Sequence, residues 1–218
     1  MSERRPMRVN LEARAAAAEQ RRAQTRERLL TAAEAVIAEK GLASVSIEDF
    51  VRAAGVSRGT FYNYFPATAD LVGALTQRVA VDLDALLDAV VRQRRDPATL
   101  LACSLHTVLA AHVADPVRGW VALQLAGSRN PRVASFEALF ARLYREGMRL
   151  GQFRPIEMTS ALTLAFGAMR MIQRDLVAGE ASEVHTTQVI ALILTAFGVP
   201  YDEAEKISRA EAVAARGG

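Results

Sequence analysis

The sequence is poor in the residues on which disulfide, metal and redox chemistry depends. It has one cysteine, three histidines and one tryptophan among 218 residues. The single Cys103 excludes a disulfide within the chain and favours a reducing, cytoplasmic compartment. His106 and His112 lie six residues apart, about 240° around a helix, so they do not share the face that two metal ligands need.

Sequence motifs of enzymes are scarce as well. The chain has no glycine-rich phosphate loop and no cysteine–histidine spacing typical of a metal site. Asp84 and Asp88 can share a helix face, but a solvated charged surface accounts for them better than a catalytic pair of carboxylates. We therefore expect a protein that is not an enzyme and that needs no cofactor and no metal.

Long hydrophobic runs and strand-forming patterns are also few. The longest largely apolar stretch, residues 189–201, is shorter than the about 20 residues that cross a bilayer. Residues 1–24 are charged and lack the apolar core of a secretory signal. Alanine, leucine, arginine and glutamate dominate, which favours helix. We expect an all-α, cytoplasmic protein without membrane contact.

The modest positive charge is unevenly distributed. The formal net charge is +3, and residues 1–65 hold eleven basic and eight acidic side chains, so the excess lies in this part of the chain. A local positive excess suits attraction to phosphate groups, although an ordinary solvated surface of mixed charge would have the same composition.

Residues 46–65 predict two short helices joined by a glycine turn. Ser46 is a good N-cap, and Asp49 follows three residues later, where it can complete a capping box. Gly55 suits the left-handed backbone at the end of the first helix, and Ser57 can cap the second. The apolar positions of the two helices are Ile47, Phe50, Val51, Ala54, Phe61 and Phe65. This is the pattern of a helix-turn-helix, which binds double-stranded DNA.

The second of these helices carries side chains suited to the DNA major groove. Arg58 presents two parallel donors that match guanine O6 and N7. Gly59 permits close approach, and Tyr62 can touch a thymine methyl group or a phosphate. Tyr62 and Tyr64 can also pack partly against the first helix, and each residue can do both. We expect base contacts from Arg58, Gly59 and Tyr62.

An amphipathic helix precedes this motif. It includes Thr25-Arg-Glu-Arg-Leu-Leu-Thr-Ala-Ala and ends at Lys40-Gly41. With Gly41-Leu42, the block from Ala54 to Pro66 and Leu71, the stretch of about residues 25–75 closely resembles the TetR family of bacterial transcriptional regulators. The resemblance implies a three-helix helix-turn-helix DNA-binding domain followed by a larger helical ligand-binding and dimerisation domain, about nine helices in all.

The resemblance also implies a function. Such a regulator would be a homodimeric repressor that leaves a palindromic operator when a small-molecule effector binds. It places phosphate contacts at Ser46, Ser57, Thr60, Asn63, Tyr64 and Thr68. Family members usually have a lysine at the position of Thr68, which can cap a helix and give one neutral hydrogen bond but brings no charge. The candidate replacements for this charge are Arg14, Arg21, Arg22, Arg26 and Arg28.

Prolines and glycines divide the rest of the chain into helices. Asp96-Pro97, Asp115-Pro116 and Asn130-Pro131 each pair a capping residue with a proline suited to a first helical turn. The intervals predict helices at about 68–94, 97–114, 116–128, 131–150, 157–178 and 183–198.

Four segments are expected along the chain. Residues 1–20 form a basic arm that is either the start of the first helix or disordered, and residues 21–67 form the helix-turn-helix domain. Residues 68–199 form the ligand-binding and dimerisation domain. Residues 200–218 form a C-terminal tail that can include a short charged helix.

The larger domain combines apolar walls with a few polar groups, as small-molecule pockets do. The candidate pocket residues are His106, His112, Trp120, Gln124, Phe140, Tyr144, Phe166 and Arg170. Aromatic residues at helical spacing are equally what an ordinary core requires. An alternative is a DNA-binding regulator or scaffold whose C-terminal domain binds a protein partner instead of a small molecule.

The last two long helices are expected to pair with their symmetry mates in a four-helix bundle. The small residues that permit close helix approach are Ala161, Ala165, Gly167, Ala168, Ala191 and Ala196.

Overall fold

Helices account for all the regular secondary structure in the described part of the protein. The computed structural model describes residues 7–92, 96–125 and 134–215, which form ten α-helices and no strand. In chain order these are α1 (Met7–Lys40), α2 (Ile47–Ala54), α3 (Arg58–Tyr62), α4 (Thr68–Val91), α5 (Pro97–Ala114), α6 (Pro116–Leu125), α7 (Ala134–Arg149), α8 (Met158–Val177), α9 (Glu183–Ala196) and α10 (Tyr201–Ala214). A short 3-10 helix at Leu42–Ser44 connects α1 to α2. The expected all-α fold is confirmed.

The chain divides into two compact units, residues 1–75 and 76–218. The core of the first unit consists of Leu29, Leu30, Ala33, Ile37, Phe50, Phe61, Phe65, Leu71 and Leu75. Leu71 and Leu75, on the first two turns of α4, are fully buried in that core. The first unit therefore extends past the expected boundary at residue 67.

The amino-terminal segment is helical from Met7 onward. Residues 7–20 continue without a break into α1, which spans 34 residues. Of the two expectations for this segment, the structure has the early start of the first helix. Residues 1–6, including Arg4 and Arg5 of the expected arm, lie outside the described residues.

The second unit is built around α5. By length and composition alone α5 could cross a membrane, but 61% of its apolar window is buried inside the protein, as is usual for a core helix. Helices α6, α7, α8, α9 and α10 all pack on it. An aromatic cluster in the core of this unit comprises Phe136, Phe140, Tyr144, Phe153, Phe166 and Phe197.

Residues 200–218, expected as a tail that can include a short charged helix, contain the helix α10 (Tyr201–Ala214). Helix α10 packs against α9 and α5, and its residues Ala204, Ser208 and Ala212 are buried. These small residues let α10 approach its neighbours closely, so it completes the core of the second unit. The expected cap at Asn130-Pro131 lies outside the described residues, and α7 is described from Ala134.

Candidate functional site

The turn between α2 and α3 is fixed from both sides. Gly55 has a left-handed backbone with φ 63°, which side chains other than glycine rarely adopt. The Val56 N–H donates to the Val51 carbonyl oxygen at 3.0 Å. From α1, Nη2 of Arg28 donates to the Ala54 carbonyl oxygen at 2.9 Å. The direction in which α3 leaves α2 is therefore held by α1 as well as by the turn itself.

The start of α2 has the expected capping box. The Ser46 hydroxyl accepts the Asp49 N–H at 3.4 Å, and Asp49 Oδ2 accepts the Ser46 N–H at 3.0 Å. Lys40 Nζ lies 2.6 Å from Asp49 Oδ1. The Lys40 ammonium, together with the hydrogen bonds from Ser46, holds the pKa of Asp49 well below its usual range. The Ser46 hydroxyl also donates to Asp49 Oδ2 at 2.8 Å, so a phosphate at Ser46 would have to compete for this proton.

Helix α3 is short and is anchored by aromatic residues. The Ser57 hydroxyl accepts the Thr60 N–H at 3.0 Å, which caps the helix as expected. Phe61 is fully buried, and its ring centroid lies 5.9 Å from that of the buried Phe65. The guanidinium carbon of Arg26 lies 5.5 Å from the centroid of the Phe65 ring. These contacts fix α3 on the rest of the first unit.

The residues predicted to contact DNA lie mostly on the solvent side of α3. Those that are exposed are Ser46, Ser57, Arg58, Gly59, Tyr62 and Asn63, whereas Thr60, Tyr64 and Thr68 are half-buried. Tyr62 is 52% exposed, and its ring meets Phe61 edge-on at 5.7 Å. The structure thus places the three predicted base-contacting residues together on one open surface.

Arg58 forms an ion pair that the sequence did not predict. The Arg58 guanidinium pairs with the Glu48 carboxylate, from the first turn of α2. Both side chains stay substantially accessible, at 64% for Arg58 and 41% for Glu48. The pair joins α2 to α3, so it depends on the fold of the turn and has no local sequence signal.

The start of α4 is capped by Asp70 and not by Thr68 as expected. Asp70 Oδ2 accepts the Ala67 N–H at 2.8 Å. Thr68 is the first residue of the helix and is half-buried. The position at which family members have a lysine is therefore two residues from a carboxylate.

Residues 55–59 spell the Gly-x-Ser-x-Gly pattern found in serine hydrolases. In those enzymes the serine stands between a strand and a helix beside a histidine. Here Ser57 stands between two helices and caps one of them, and all three histidines of the sequence lie beyond residue 100. In this fold the serine of the pattern is the N-cap of α3. Among the described residues there is also no group of three or more potential metal ligands.

The eight residues predicted to line a ligand pocket do not form one site. Phe140 and Tyr144 are buried, and Phe166 is half-buried beside them, in the aromatic cluster whose ring centroids lie 5.0–6.0 Å apart. The Tyr144 hydroxyl donates to the Arg154 carbonyl oxygen at 2.9 Å. Arg170 is exposed, and its Nη1 donates to the Leu123 carbonyl oxygen at 2.9 Å. These four residues have structural contacts that account for them.

His106 is buried between α5 and α10. Its Nε2 lies 2.9 Å from the Ser208 hydroxyl, which donates to the Thr187 carbonyl oxygen at 2.8 Å. The ring also lines a cavity of about 500 Å³. The other lining residues are Leu109, Ala110, Val113, Ala114, Leu176, Glu183, Thr186, Ala212 and Ala215. Sequence reasoning missed them, because it did not predict that α10 packs here.

The remaining candidates, His112, Trp120 and Gln124, are half-buried on α5 and α6. Burial lowers the pKa of His112 from 6.5 to about 4, so its ring is neutral at pH 7. Within the described part of the chain, the buried Nδ1 of His112 has no hydrogen-bond partner. A buried nitrogen of this kind is costly unless some group satisfies it, which makes His112 the strongest of the predicted ligand contacts.

Comparisons with known proteins agree with the N-terminal motif. Residues 29–75 match the family model of bacterial regulatory proteins, tetR family. The uncharacterised HTH-type transcriptional regulator YvdT of Bacillus subtilis is 45% identical over 53 residues, which are 24% of this chain and 27% of that protein. The nucleoid occlusion factor SlmA of Haemophilus ducreyi is 32% identical over 71 residues, 33% of this chain and 35% of that protein.

The likeness in fold extends over more of the chain. A crystal structure of RolR in complex with resorcinol is 28% identical and has a TM-score of 0.64, covering 87% of this chain and 95% of RolR. By sequence, in contrast, the chain spans between 27% and 35% of the length of the two curated relatives.

Proposed function

The chain is a member of the TetR family of bacterial regulatory proteins, and on this premise we propose that it is a homodimeric transcriptional repressor. It binds a palindromic DNA operator through α3 and leaves the operator when a small molecule binds the second unit. The observation that carries this proposal is the surface of Arg58, Gly59 and Tyr62, open to solvent on a helix whose direction is fixed by Gly55 and Arg28.

In this proposal α3 enters the major groove. Arg58 donates two hydrogen bonds to a guanine, and Tyr62 contacts a neighbouring thymine methyl group. Ser57, Thr60 and Asn63 are near enough to the same surface to hold phosphates, which fixes the register of the helix but not its sequence preference. The base contacts from Arg58 give the specificity.

Glu48 has a defined part in this proposal. Because its carboxylate pairs with Arg58, it limits the orientations of the guanidinium. The same pair has to be exchanged or shared when Arg58 meets a guanine, and a carboxylate near the duplex repels phosphates. Glu48 therefore reduces binding to DNA of any sequence and makes binding more dependent on the correct guanine.

The test compares three variants on footprinted intergenic DNA beside the gene and on random duplex. Arg58→Ala should reduce operator affinity by a factor that corresponds to about 1–3 kcal/mol and should leave binding to random DNA nearly unchanged. Glu48→Gln should bind random DNA more tightly and discriminate less. Arg209→Ala is the matched control, because Arg209 is a 72% exposed arginine on α10 of the second unit and, like Arg58, pairs with a glutamate. If Arg58→Ala lowered the affinity for operator and for random duplex equally, Arg58 would contact phosphates and not bases.

The effector is proposed to be a small, largely apolar compound with a hydroxyl group. RolR, whose fold this chain shares, was crystallised with resorcinol, a dihydroxybenzene. A neutral His112 offers a buried ring nitrogen that can accept a hydrogen bond from such a hydroxyl. Trp120 and Gln124, half-buried on the neighbouring helix α6, are the other two predicted ligand contacts in this part of the chain.

A panel of phenols, measured by thermal unfolding and by release of the operator, tests the effector class. A phenol that binds the folded protein raises its Tm, because only the folded state is stabilised. His112→Asn should weaken this effect, whereas His185→Asn, at an exposed position on α9, should not. If no phenol shifts the Tm while the operator is still bound, the effector belongs to another chemical class.

Dimerisation is proposed to use the solvent-facing sides of α8 and α9. Leu164 and Met171 on α8 are 45% and 53% exposed, and Leu192 on α9 is 54% exposed. Of the small residues expected at the interface, Ala161, Ala165 and Ala191 are buried within the protomer instead. Gly167, Ala168 and Ala196 remain at least partly accessible.

Sedimentation of charged variants tests this interface. Leu164→Glu combined with Leu192→Glu should give monomers at micromolar concentration. Val213→Glu is the matched control, because Val213 is 63% exposed on α10. Leu194 is unsuitable for the test, since it is fully buried and a charge there would unfold the protomer. A double variant that remains dimeric would rule out the α8–α9 interface.

A further inference from the structure

Residues 13–24 of α1 make no core of their own. Every one of them is exposed, and burial begins only at Leu29 and Leu30. The segment is rich in alanine, which accounts for its helicity, but has no apolar stripe to pack on another element. Residues 13–24 therefore present all their side chains to solvent.

The charge on this segment is mostly positive. Residues 13–24 hold three arginines, Arg14, Arg21 and Arg22, and one glutamate, Glu19. At 100° per residue, Arg14, Arg21 and Arg28 follow one another along a nearly straight line, each turned by about 20° from the last. Arg22 lies about 80° from Arg14 and about 100° from Arg21, so it lies off this line.

The line of Arg14, Arg21 and Arg28 runs along the side of α1 that contacts the turn between α2 and α3. Arg28 donates to the carbonyl oxygen of Ala54, the last residue before the Gly55 turn, which fixes that side. At 1.5 Å per residue, Arg21 and Arg14 lie about 10 and 21 Å further along the axis. These two arginines therefore extend along α1 the side that holds the turn before α3.

The arginines of α1 differ in whether their guanidinium groups already contact another residue. Arg26 lies over the Phe65 ring, and Arg28 is bonded to Ala54, so both have a role inside the first unit. The guanidinium groups of Arg14, Arg21 and Arg22 form no hydrogen bond or ion pair with the described residues. These three charges remain available to a partner.

We propose that the amino-terminal half of α1 is a second DNA-binding element, in which Arg14, Arg21 and Arg22 neutralise phosphates outside the base pairs that α3 reads. The inference rests on the proposed function as a DNA-binding regulator. In this proposal the three arginines supply the positive charge that is missing at Thr68, where the nearby Asp70 carboxylate adds a negative charge instead. The reach of about 21 Å corresponds to about six base pairs of flanking duplex at 3.4 Å each.

The test measures operator binding by the full-length protein as a function of salt. Each phosphate neutralised contributes a slope of about −0.9 to log K against log salt. The triple variant Arg14→Ala, Arg21→Ala, Arg22→Ala should flatten the slope by about two to three per protomer and should weaken operator and random DNA by the same factor. Alanine keeps the segment helical, which circular dichroism can verify. Gln20→Ala with Gln24→Ala is the matched control and should change neither quantity.

A second measurement uses the length of the DNA. Trimming about six flanking base pairs from each side of the footprinted operator should weaken the native protein but leave the triple variant unchanged. Adding Thr68→Lys to the triple variant should make the slope of log K against log salt steeper again by about one per protomer. If the native protein binds the operator and the triple variant has the same slope and the same response to trimming, the inference is wrong while the proposed function stands. If the native protein shows no preference for the operator over random DNA, the proposed function itself fails.

Discussion

The buried His112 predicts how the stability of the protein depends on pH. Its pKa is about 4 in the folded protein and about 6.5 when the ring is in water. Between these values the unfolded chain takes up a proton that the folded protein does not, so protons favour unfolding. Above pH 6.5 His112 has no effect, and the free energy of unfolding then falls as the pH is lowered toward 4.

The size of the effect follows from the two pKa values. From pH 7 to pH 5 the loss attributable to His112 is about 2 kcal/mol, and it reaches about 3 kcal/mol once the pH is below 4. His112→Asn removes the titrating group, so its free energy of unfolding should fall by about 2 kcal/mol less over the same range. Urea titrations at the two pH values give the midpoint and the dependence of the free energy of unfolding on urea for each protein. They are made at one protein concentration, since the proposed dimerisation would make stability depend on concentration.

The comparison of variants isolates this histidine from every other titrating group. His185→Asn is the matched control for the change of side chain, because His185 is exposed on α9. An equal loss of stability from pH 7 to pH 5 in the native protein and in His112→Asn would show that His112 is solvated in the folded protein. In that case the ring nitrogen of His112 would no longer be a buried acceptor without a partner, and we would no longer expect it to bind an effector.

Three further substitutions, at Gly119, Ser208 and Tyr144, test contacts in the second unit, and Gly73→Ala is the control for the first of them. Gly119→Ala would place a Cβ 2.7 Å from a backbone carbonyl oxygen of α5 and should destabilise by about 1–3 kcal/mol or more, whereas Gly73→Ala, with open space around it, should not destabilise. Ser208→Ala leaves the buried His106 without its hydroxyl partner and should cost about 1–3 kcal/mol in urea unfolding. Tyr144→Phe removes a hydroxyl that makes two hydrogen bonds with the backbone, so it should lower the Tm. The shift in Tm caused by a phenol should be unchanged. If the phenol no longer shifts the Tm while the Tm without phenol is native, Tyr144 contacts the ligand.

The parts of the fold that follow from short stretches of sequence were predictable. Ser46, Gly55 and Ser57 act on their own neighbours within three or four residues, and the structure has each of them in the expected role. The same holds for Asp96, which accepts the N–H groups at the start of α5. Hydrogen bonds of this kind depend on spacing alone, and spacing can be read from one sequence.

The parts that depend on contacts between distant segments were not predictable in the same way. Phe140 and Phe166 have the composition of a pocket wall, but whether an aromatic ring borders a cavity or fills a core depends on which helices face it. The Glu48–Arg58 pair and the packing of α10 are of the same kind. A charged helix with buried residues as small as Ala204 and Ala212 has a weak apolar signal, and so it resembled a tail.

The packing of α10 has a consequence for how the protein is made. The hydrogen bond between His106 and Ser208 joins residues that are 102 positions apart, and α10 covers both α5 and α9. On the ribosome, the first unit can fold as soon as residues 1–75 have emerged, whereas α5 keeps an apolar side uncovered until α10 has been synthesised. During that interval the unfinished second unit exposes apolar surface, so we expect chaperone supply and codon usage over the region that encodes α10 to affect the yield of native protein.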